Sequence, residues 1–135
     1  MRSKRTMIVL CLVLLLGTTL AMAEYVPLKV KLNVLERLIV WGMLPKETSF
    51  VNWKIFNDMR DKLAPTEEEL KAVNPQPGPD GGTIANWDAV PEKEITFGET
   101  TEKVIVETLK KMDKDEKLLP EHISLYKKFI LRESE

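Results

Sequence analysis

The sequence predicts an α+β fold that is mainly α, with about five helices, a short β-hairpin and an N-terminal edge strand. Apolar and polar residues alternate over residues 28–32, which is the period of a half-buried strand. Most later segments instead carry apolar residues at the spacing of helices. The hydrophobic fraction of 44% and the charged fraction of 30% are typical of a folded soluble protein.

Prolines and cap residues delimit the first elements. Pro27 places the start of a strand over Tyr25–Leu32 at a sheet edge, because proline lacks the N–H that a central strand needs. Asn33 with Glu36 is a variant of the capping box and predicts a helix that ends at Leu44-Pro45. We expect the apolar face of this helix to be central to the core. That face comprises Val34, Leu35, Leu38, Ile39 and Trp41 or Gly42.

Two more helices are predicted before the middle of the chain. One runs from about Ser49 to Leu63, where apolar residues recur at helical spacing and polar residues that include Arg60 form the solvent side. Thr66 with Glu69 is a full capping box that begins a short helix over Glu67–Val73, and the acidic residues of its first turn suit the helix dipole. The apolar stripe of the longer helix comprises Phe50 or Val51, Ile55, Phe56, Met59 and Leu63.

The second half of the chain opens with a segment that is rich in proline and glycine. Asn74–Gly82 holds three of each, which predicts a surface loop without regular structure. Thr83–Trp87 and Glu92–Phe97 are two short strand candidates that could form a hairpin, which the first strand could join. Helices over Glu99 to about Lys114 and Pro120 to about Leu131 follow. The side chains expected to face inward are Val104, Ile105, Leu109 and Met112, then Ile123, Tyr126, Phe129 and Ile130.

Residues 1–23 have the three-part pattern of a secretory signal peptide. Three basic residues within the first five precede an apolar run over Met7–Leu16. Ala21-Met22-Ala23 then places small residues where a signal peptidase requires them. We predict cleavage after Ala23 and one small globular domain over residues 24–135.

Two alternatives to cleavage remain open. Thr6–Ala23 is long enough to span a bilayer as an uncleaved signal anchor, with its basic flank inside the cell. Translation from Met22 would instead produce a cytosolic domain. In the exported forms the domain is periplasmic, secreted, or anchored to the outer face of the inner membrane. It then contacts the membrane only through the N-terminal segment, if that segment is uncleaved.

The charge of the predicted domain argues against nucleic-acid binding. Without the three basic residues of the leader, 17 basic residues face 21 acidic ones, which is a net charge of −4. A domain of that sign has no general attraction for phosphate backbones. The order of elements resembles a winged helix in outline, but the third helix begins with Glu67, Glu68 and Glu69, where a DNA-binding winged helix carries basic residues.

The sequence offers no motif for catalysis or for a cofactor. His122 is the only histidine, which is too few for a zinc site, and Cys11 lies in the apolar leader. Acidic pairs such as Asp113 with Asp115 lie in charge-rich segments, where nothing indicates that burial raises a pKa. We therefore predict no cofactor, no metal site and no catalytic residue.

Two tryptophans and one aspartate form the candidate interaction surface. Trp53 lies at the boundary between the apolar and polar faces of its helix, and Trp87 borders the loop that contains Asp80. Tryptophan is common at protein interfaces, because it brings a large area at a low cost in conformational entropy. The alternative is that Trp41, Trp53 and Trp87 all fill the core or its rim.

Several segments resemble a family of small uncharacterised prokaryotic and phage-type proteins. They are Leu32–Leu38, Leu44–Glu47, Lys93–Ile95 and Tyr126–Phe129, and the resemblance covers most of residues 28–130. The resemblance implies no activity for this chain. Members of that family start near the first strand, so the export segment would be an addition.

These observations favour an exported, non-enzymatic protein-interaction module of the cell envelope or periplasm, with an unknown protein partner. One alternative is a membrane-anchored accessory protein that keeps its leader. The other is a small envelope hydrolase, which would need two carboxylates facing each other in a pocket.

Overall fold

The computed structural model describes residues 23–133 and shows a mainly helical α+β fold, as the sequence predicts. Within these residues there are five α-helices and two small antiparallel sheets. The strands are β1 (Leu28–Leu32), β2 (Gln76–Pro77), β3 (Thr83–Ile84) and β4 (Lys93–Phe97). The helices are α1 (Val34–Met43), α2 (Phe50–Leu63), α3 (Glu67–Val73), α4 (Glu99–Lys114) and α5 (Pro120–Tyr126), and a π-helical turn, Lys127–Leu131, follows α5.

The first strand pairs with the last one. β1 and β4 are antiparallel, with Val30 opposite Ile95 and Leu28 opposite Phe97. Val30, Ile95 and Phe97 are buried, together with Leu32, so the alternation in β1 gives the sheet one apolar face, as predicted. The N-terminal edge strand is confirmed.

A short hairpin is also present, but it is formed by β2 and β3. The predicted pairing of Thr83–Trp87 with Glu92–Phe97 was wrong. β3 pairs with β2, with Gln76 opposite Ile84, and Trp87–Ala89 is a 3-10 turn instead of part of a strand. β4 pairs with β1 because both strands alternate apolar residues that cover the core together. Residues 83–87 have no such alternation.

The proline-glycine segment is more regular than predicted, since it contains β2. The Gly78 N–H donates a 2.8 Å hydrogen bond to the Gly82 carbonyl oxygen, which closes the turn between β2 and β3. Gly81 has a φ of 76°, a conformation that glycine adopts without strain.

The predicted helix caps are confirmed. The Asn33 side chain accepts a 2.8 Å hydrogen bond from the Glu36 N–H, and that of Thr66 accepts one of 3.1 Å from the Glu69 N–H. Both glutamates return a hydrogen bond to the backbone of the cap residue. α1 ends at Met43, immediately before the predicted stop.

Only part of the predicted apolar face of α1 is buried, since Val34 is fully buried and Ile39 packs against the core. Leu38 and Trp41 are 37% and 41% exposed, so the prediction that they face the core was wrong. Two charged residues, Glu36 and Arg37, are buried instead. They are tolerated because each forms an ion pair with another element.

α2 buries three of the five positions of its predicted stripe. The buried members are Phe56, Met59 and Leu63. Phe50 and Val51 are 80% and 68% exposed, and Ile55 is 37% exposed, so the prediction was wrong for these three. α1 and α4 pack on the side of α2 that carries the buried residues, and the first turn of α2 lies in solvent.

The last two helices complete the core. Their fully buried residues include Ile105, Leu109 and Leu125. Phe129 packs edge-to-face on Phe97 with 5.1 Å between ring centroids. Leu125 lies one turn before Phe129 and shares its face, whereas Ile123 is 44% exposed, against the prediction.

Residues 1–22 lie outside the described residues and contain nearly all of the predicted export segment. The signal peptide, the uncleaved anchor and the role of Ala21 therefore stay predictions, and Ala23 lies in an exposed segment without helix or strand. Among residues 23–133, no helix is long and apolar enough to cross a membrane.

Candidate functional site

The three predicted surface residues lie on two parts of the fold. Asp80 is exposed in the turn between β2 and β3, and Trp87 is half-buried in the 3-10 turn that packs against α3. Trp53 is 48% exposed on α2, which packs against α1 and α4. Asp80 and Trp87 are thus neighbours along one segment, whereas Trp53 belongs to a different surface.

Trp53 is part of a continuous face of α2 that the core does not use. Residues three, four and seven apart lie on one side of a helix, and six residues of α2 meet this condition. We call them the α2 stripe. They are Phe50, Trp53, Lys54, Asn57, Arg60 and Asp61.

Aromatic contacts order both ends of the α2 stripe. The rings of Phe50 and Trp53 are stacked, with 6.4 Å between centroids and an angle of 15° between planes. At the other end, the Arg60 guanidinium lies 5.5 Å from the centroid of the Trp41 ring, within the range of a cation–π contact. Trp41 of α1 therefore extends the surface beyond α2.

Hydrogen bonds hold this surface on a fixed scaffold. The Arg60 guanidinium donates to the carbonyl oxygens of Leu44 and Pro45 at 3.0 and 2.8 Å, so it caps the end of α1. The Ser49 hydroxyl accepts a hydrogen bond from the Asn52 N–H and caps the start of α2. The stripe is therefore preorganised for binding, which lowers the entropic cost of association.

A buried ionic network lies on the opposite side of α1. The Lys128 ammonium donates to the Lys31 carbonyl oxygen at 2.9 Å, to Glu36 at 3.0 Å and to Glu92 at 2.9 Å. The other carboxylate oxygen of Glu36 accepts from the Ser124 hydroxyl at 3.2 Å. Burial alone would lower the pKa of Lys128, but the hydrogen bonds to Glu92 and Glu36 outweigh it and raise the pKa.

This network has the properties of a structural element. An ammonium group has three N–H donors, and Lys128 uses all three. Raising the pKa also keeps its nitrogen protonated, so it has no lone pair for a base or a nucleophile. Glu36 and Glu92 are held apart by the cation between them and offer no pair of facing acids for hydrolysis.

A second buried cation, Arg37, has hydrogen-bond partners for only part of its guanidinium group. Its Nη2 donates to Glu69 at 2.8 Å, while its Nε and Nη1 have no hydrogen-bond partner among the described residues. Burial alone would raise the pKa of Glu69, but hydrogen bonds from Arg37 and from the Thr66 N–H outweigh it and lower the pKa. The ion pair joins α1 to α3 across the core rim.

A third ionic cluster joins both ends of the described chain to α4. The Tyr25 hydroxyl and the Arg132 guanidinium both donate to Glu102. Burial and the hydrogen bond to Glu102 raise the pKa of Tyr25 to about 12. The cluster stabilises the neutral phenol and the carboxylate. We therefore assign it a structural role.

The other titratable groups named by the sequence are also accounted for. His122 accepts a 2.9 Å hydrogen bond at Nδ1 from the Leu119 N–H and helps to cap α5. Asp113 accepts from the Tyr126 hydroxyl, and Asp115 pairs with Lys111 on the surface of α4. Within residues 23–133, no group of three His, Cys, Asp or Glu side chains is arranged to hold a metal ion.

Comparisons of the chain with protein-family models, with curated proteins and with solved structures found no match. The resemblance to small prokaryotic and phage-type proteins therefore stays a prediction.

Sequence reasoning identified Trp53 but missed the rest of the stripe. Phe50 was one of two candidates for the apolar stripe of α2, Trp41 one of two for the apolar face of α1, and Arg60 was assigned to the solvent side of α2. The i, i+3 spacing of Phe50 and Trp53 was the available signal, because two aromatic residues at that spacing share one face. The sequence carries no signal for the contact of Arg60 with Trp41, which joins two helices.

Proposed function

We propose that the chain is an exported, non-enzymatic interaction module that docks a protein partner on the α2 stripe. The stacked rings of Phe50 and Trp53 carry this proposal. Phe50 is 80% exposed, although burying a phenylalanine side chain stabilises a fold by about 1.5–3 kcal/mol. A large apolar group left in solvent beside a second aromatic ring is typical of an interaction surface.

The composition of the stripe supports a protein partner. Trp and Arg dominate the energetics of protein interfaces, and both are present here in ordered contacts. Lys54 and Asp61 add exposed charges of both signs, which suit a polar rim around an aromatic centre. The partner surface that fits is apolar at its centre and carries charges at its edge.

The export part of the proposal rests on the sequence of residues 1–23. Basic residues, an apolar run and Ala21-Met22-Ala23 follow the order of a signal peptide. The domain would then act in the periplasm or cell envelope, or outside the cell. Retention of the leader would make it a membrane-anchored accessory protein with the same docking surface.

Site-specific photocrosslinking in the producing cells tests the docking surface. The photoreactive residue benzoylphenylalanine replaces Phe50 in one variant and Leu119 in a control. Leu119 is a suitable control because it is 52% exposed and lies before α5, on another element. We expect a discrete protein adduct from position 50 and none of that mass from position 119.

Two results would contradict the proposal. One is the absence of any protein adduct from position 50. The other is the same set of adducts from both positions, because that pattern reports random collision. Adducts with lipid alone at position 50 would show that a bilayer, and not a protein, covers the stripe.

A further inference from the structure

We infer that the partner on the α2 stripe is a second copy of this chain, with the two α2 helices antiparallel about a two-fold axis beside Asn57. The inference rests on the proposed function, because it uses the same surface. It adds the identity of the partner and the register of the contact. Two observations carry it: the position of opposite charges along the stripe and the position of its aromatic groups.

Lys54 and Asp61 are placed for a self-complementary contact. They lie seven residues apart, which puts them two turns apart on the same face of α2. Both are exposed, and neither forms an ion pair with another described residue. A two-fold axis midway between them sets Lys54 of each copy opposite Asp61 of the other.

The same axis brings the aromatic groups together. Trp53 of one copy then lies near Arg60 of the other, since both are on the same flank of α2, and the difference of about 3 Å between their distances from the axis is within the reach of an arginine side chain. Arg60 already contacts Trp41, so each guanidinium would lie between two indole rings. Phe50 meets the end of the opposite α2, where the exposed Ala64 leaves room for a ring.

A two-fold contact of this kind uses one patch twice. Isologous pairing is the commonest way in which soluble proteins associate. The patch is short, since the 14 residues of α2 extend about 21 Å. Contacts smaller than about 1,200 Å² are typical of weak complexes, so we expect a dimer that dissociates at micromolar concentration.

Charge reversal with rescue tests the register. The protein, purified with the N-terminus that it has in its producing cells, is studied by sedimentation equilibrium from about 5 to about 500 μM, a range that spans weak association. Lys54→Glu and Asp61→Lys should each weaken dimerisation at least about ten-fold, because each places like charges opposite one another twice. The Lys54→Glu/Asp61→Lys double variant should restore the dimer to within about three-fold of the original protein, because opposite charges face one another again.

Lys62→Glu is the matched control. It makes the same change of charge on the same helix, and Lys62 is exposed outside the stripe. We expect less than about a two-fold effect on dimerisation from this variant, because its charge is screened at that distance. All three substituted positions are exposed, so circular dichroism should show an unchanged fold in each of the four variants.

Three outcomes would overturn the inference. They are a monomer over the whole concentration range, a double variant that stays as weak as the single ones, and an equal loss in Lys62→Glu. A monomer that still gives an adduct with a different protein at position 50 would overturn this inference alone and leave the proposed function intact. Absence of both dimer and adduct would overturn both.

Discussion

The Lys128 ammonium lies 3.0 Å from the Glu36 carboxylate, and both side chains are less than one-tenth exposed. This pair links α1 to the π-helical turn, and a further hydrogen bond links the same ammonium to the end of β1. The described residues contain no cysteine, and this buried ionic link joins elements that lie far apart in the sequence without a covalent bond.

Lys128→Met should strongly destabilise the protein. The substitution keeps the aliphatic bulk but leaves the Glu36 carboxylate buried without its cation, which typically costs about 3–5 kcal/mol. Urea denaturation measures the free energy of unfolding. Lys111→Met is the matched control, because Lys111 is 77% exposed in its pair with Asp115. This variant should lose less than about 1 kcal/mol of unfolding free energy. Equal losses of unfolding free energy in the two variants would contradict the claim that the buried pair stabilises the fold more than an exposed pair does.

Removal of the Glu69 anion should lower the free energy of unfolding more than removal of the Arg37 cation. Glu69→Gln keeps a side chain that suits the capping box but leaves a buried guanidinium without a counterion, for an expected loss of about 3 kcal/mol. Arg37→Met removes the cation together with its two unpaired nitrogens, so we expect about 1 kcal/mol or less. Chemical denaturation of both variants gives the order, and a larger loss in Arg37→Met would contradict this account.

Tyr25 should contribute to stability at neutral pH and lose that contribution in alkali. Burial and the hydrogen bond to Glu102 raise the pKa of its phenol from 10.0 to about 12. A pKa that is higher in the folded state gives stability that is complete below pH 10.0 and is lost as the pH rises to about 12. Ultraviolet titration should show a phenol that ionises near pH 12 and is missing in Tyr25→Phe. Its persistence in that variant would assign it to another tyrosine.

The predicted export has a direct readout at the N-terminus. Mass spectrometry of the protein from its producing cells should find Glu24 as the first residue, since Ala21 and Ala23 suit the signal peptidase. An intact leader on a membrane-bound protein would favour the anchored form. A soluble cytosolic protein that begins at Met22 would contradict export.

The sequence predicted most elements of the fold, because the relevant signals are local. The capping boxes at Asn33 and Thr66 and the stop at Leu44-Pro45 depend on residues within one turn of each other. The pairing of β4 with β1 has no local signal, because the paired residues are more than 60 positions apart in the sequence. The pairing of Glu92–Phe97 with the adjacent Thr83–Trp87 was wrong, and the first strand, expected only as an addition to that hairpin, is the partner of β4.

The candidate site was harder to predict than the fold. Apolar spacing alone favoured Phe50 and Trp41 as core residues. In the structure, the helices that pack against α1 and α2 cover other faces, and these two residues are exposed. Glu36 and Arg37 were not identified from the sequence as buried residues. Their burial depends on Lys128 and Glu69, which lie on other elements, and periodicity does not report partners that are distant in sequence.

The most direct test of the account asks whether the α2 stripe is covered in the cell. Asn57→Cys in a Cys11→Ser background gives a protein whose only thiol lies on the stripe, and Lys110→Cys gives a control on the exposed side of α4. The measurement is the rate of maleimide labelling in intact cell envelopes relative to the dilute purified protein. We predict at least about ten-fold slower labelling of Asn57→Cys in envelopes, as expected for a thiol at the centre of an interface, and no slowing of Lys110→Cys. Equal relative rates at the two positions would contradict the claim that this surface binds a protein.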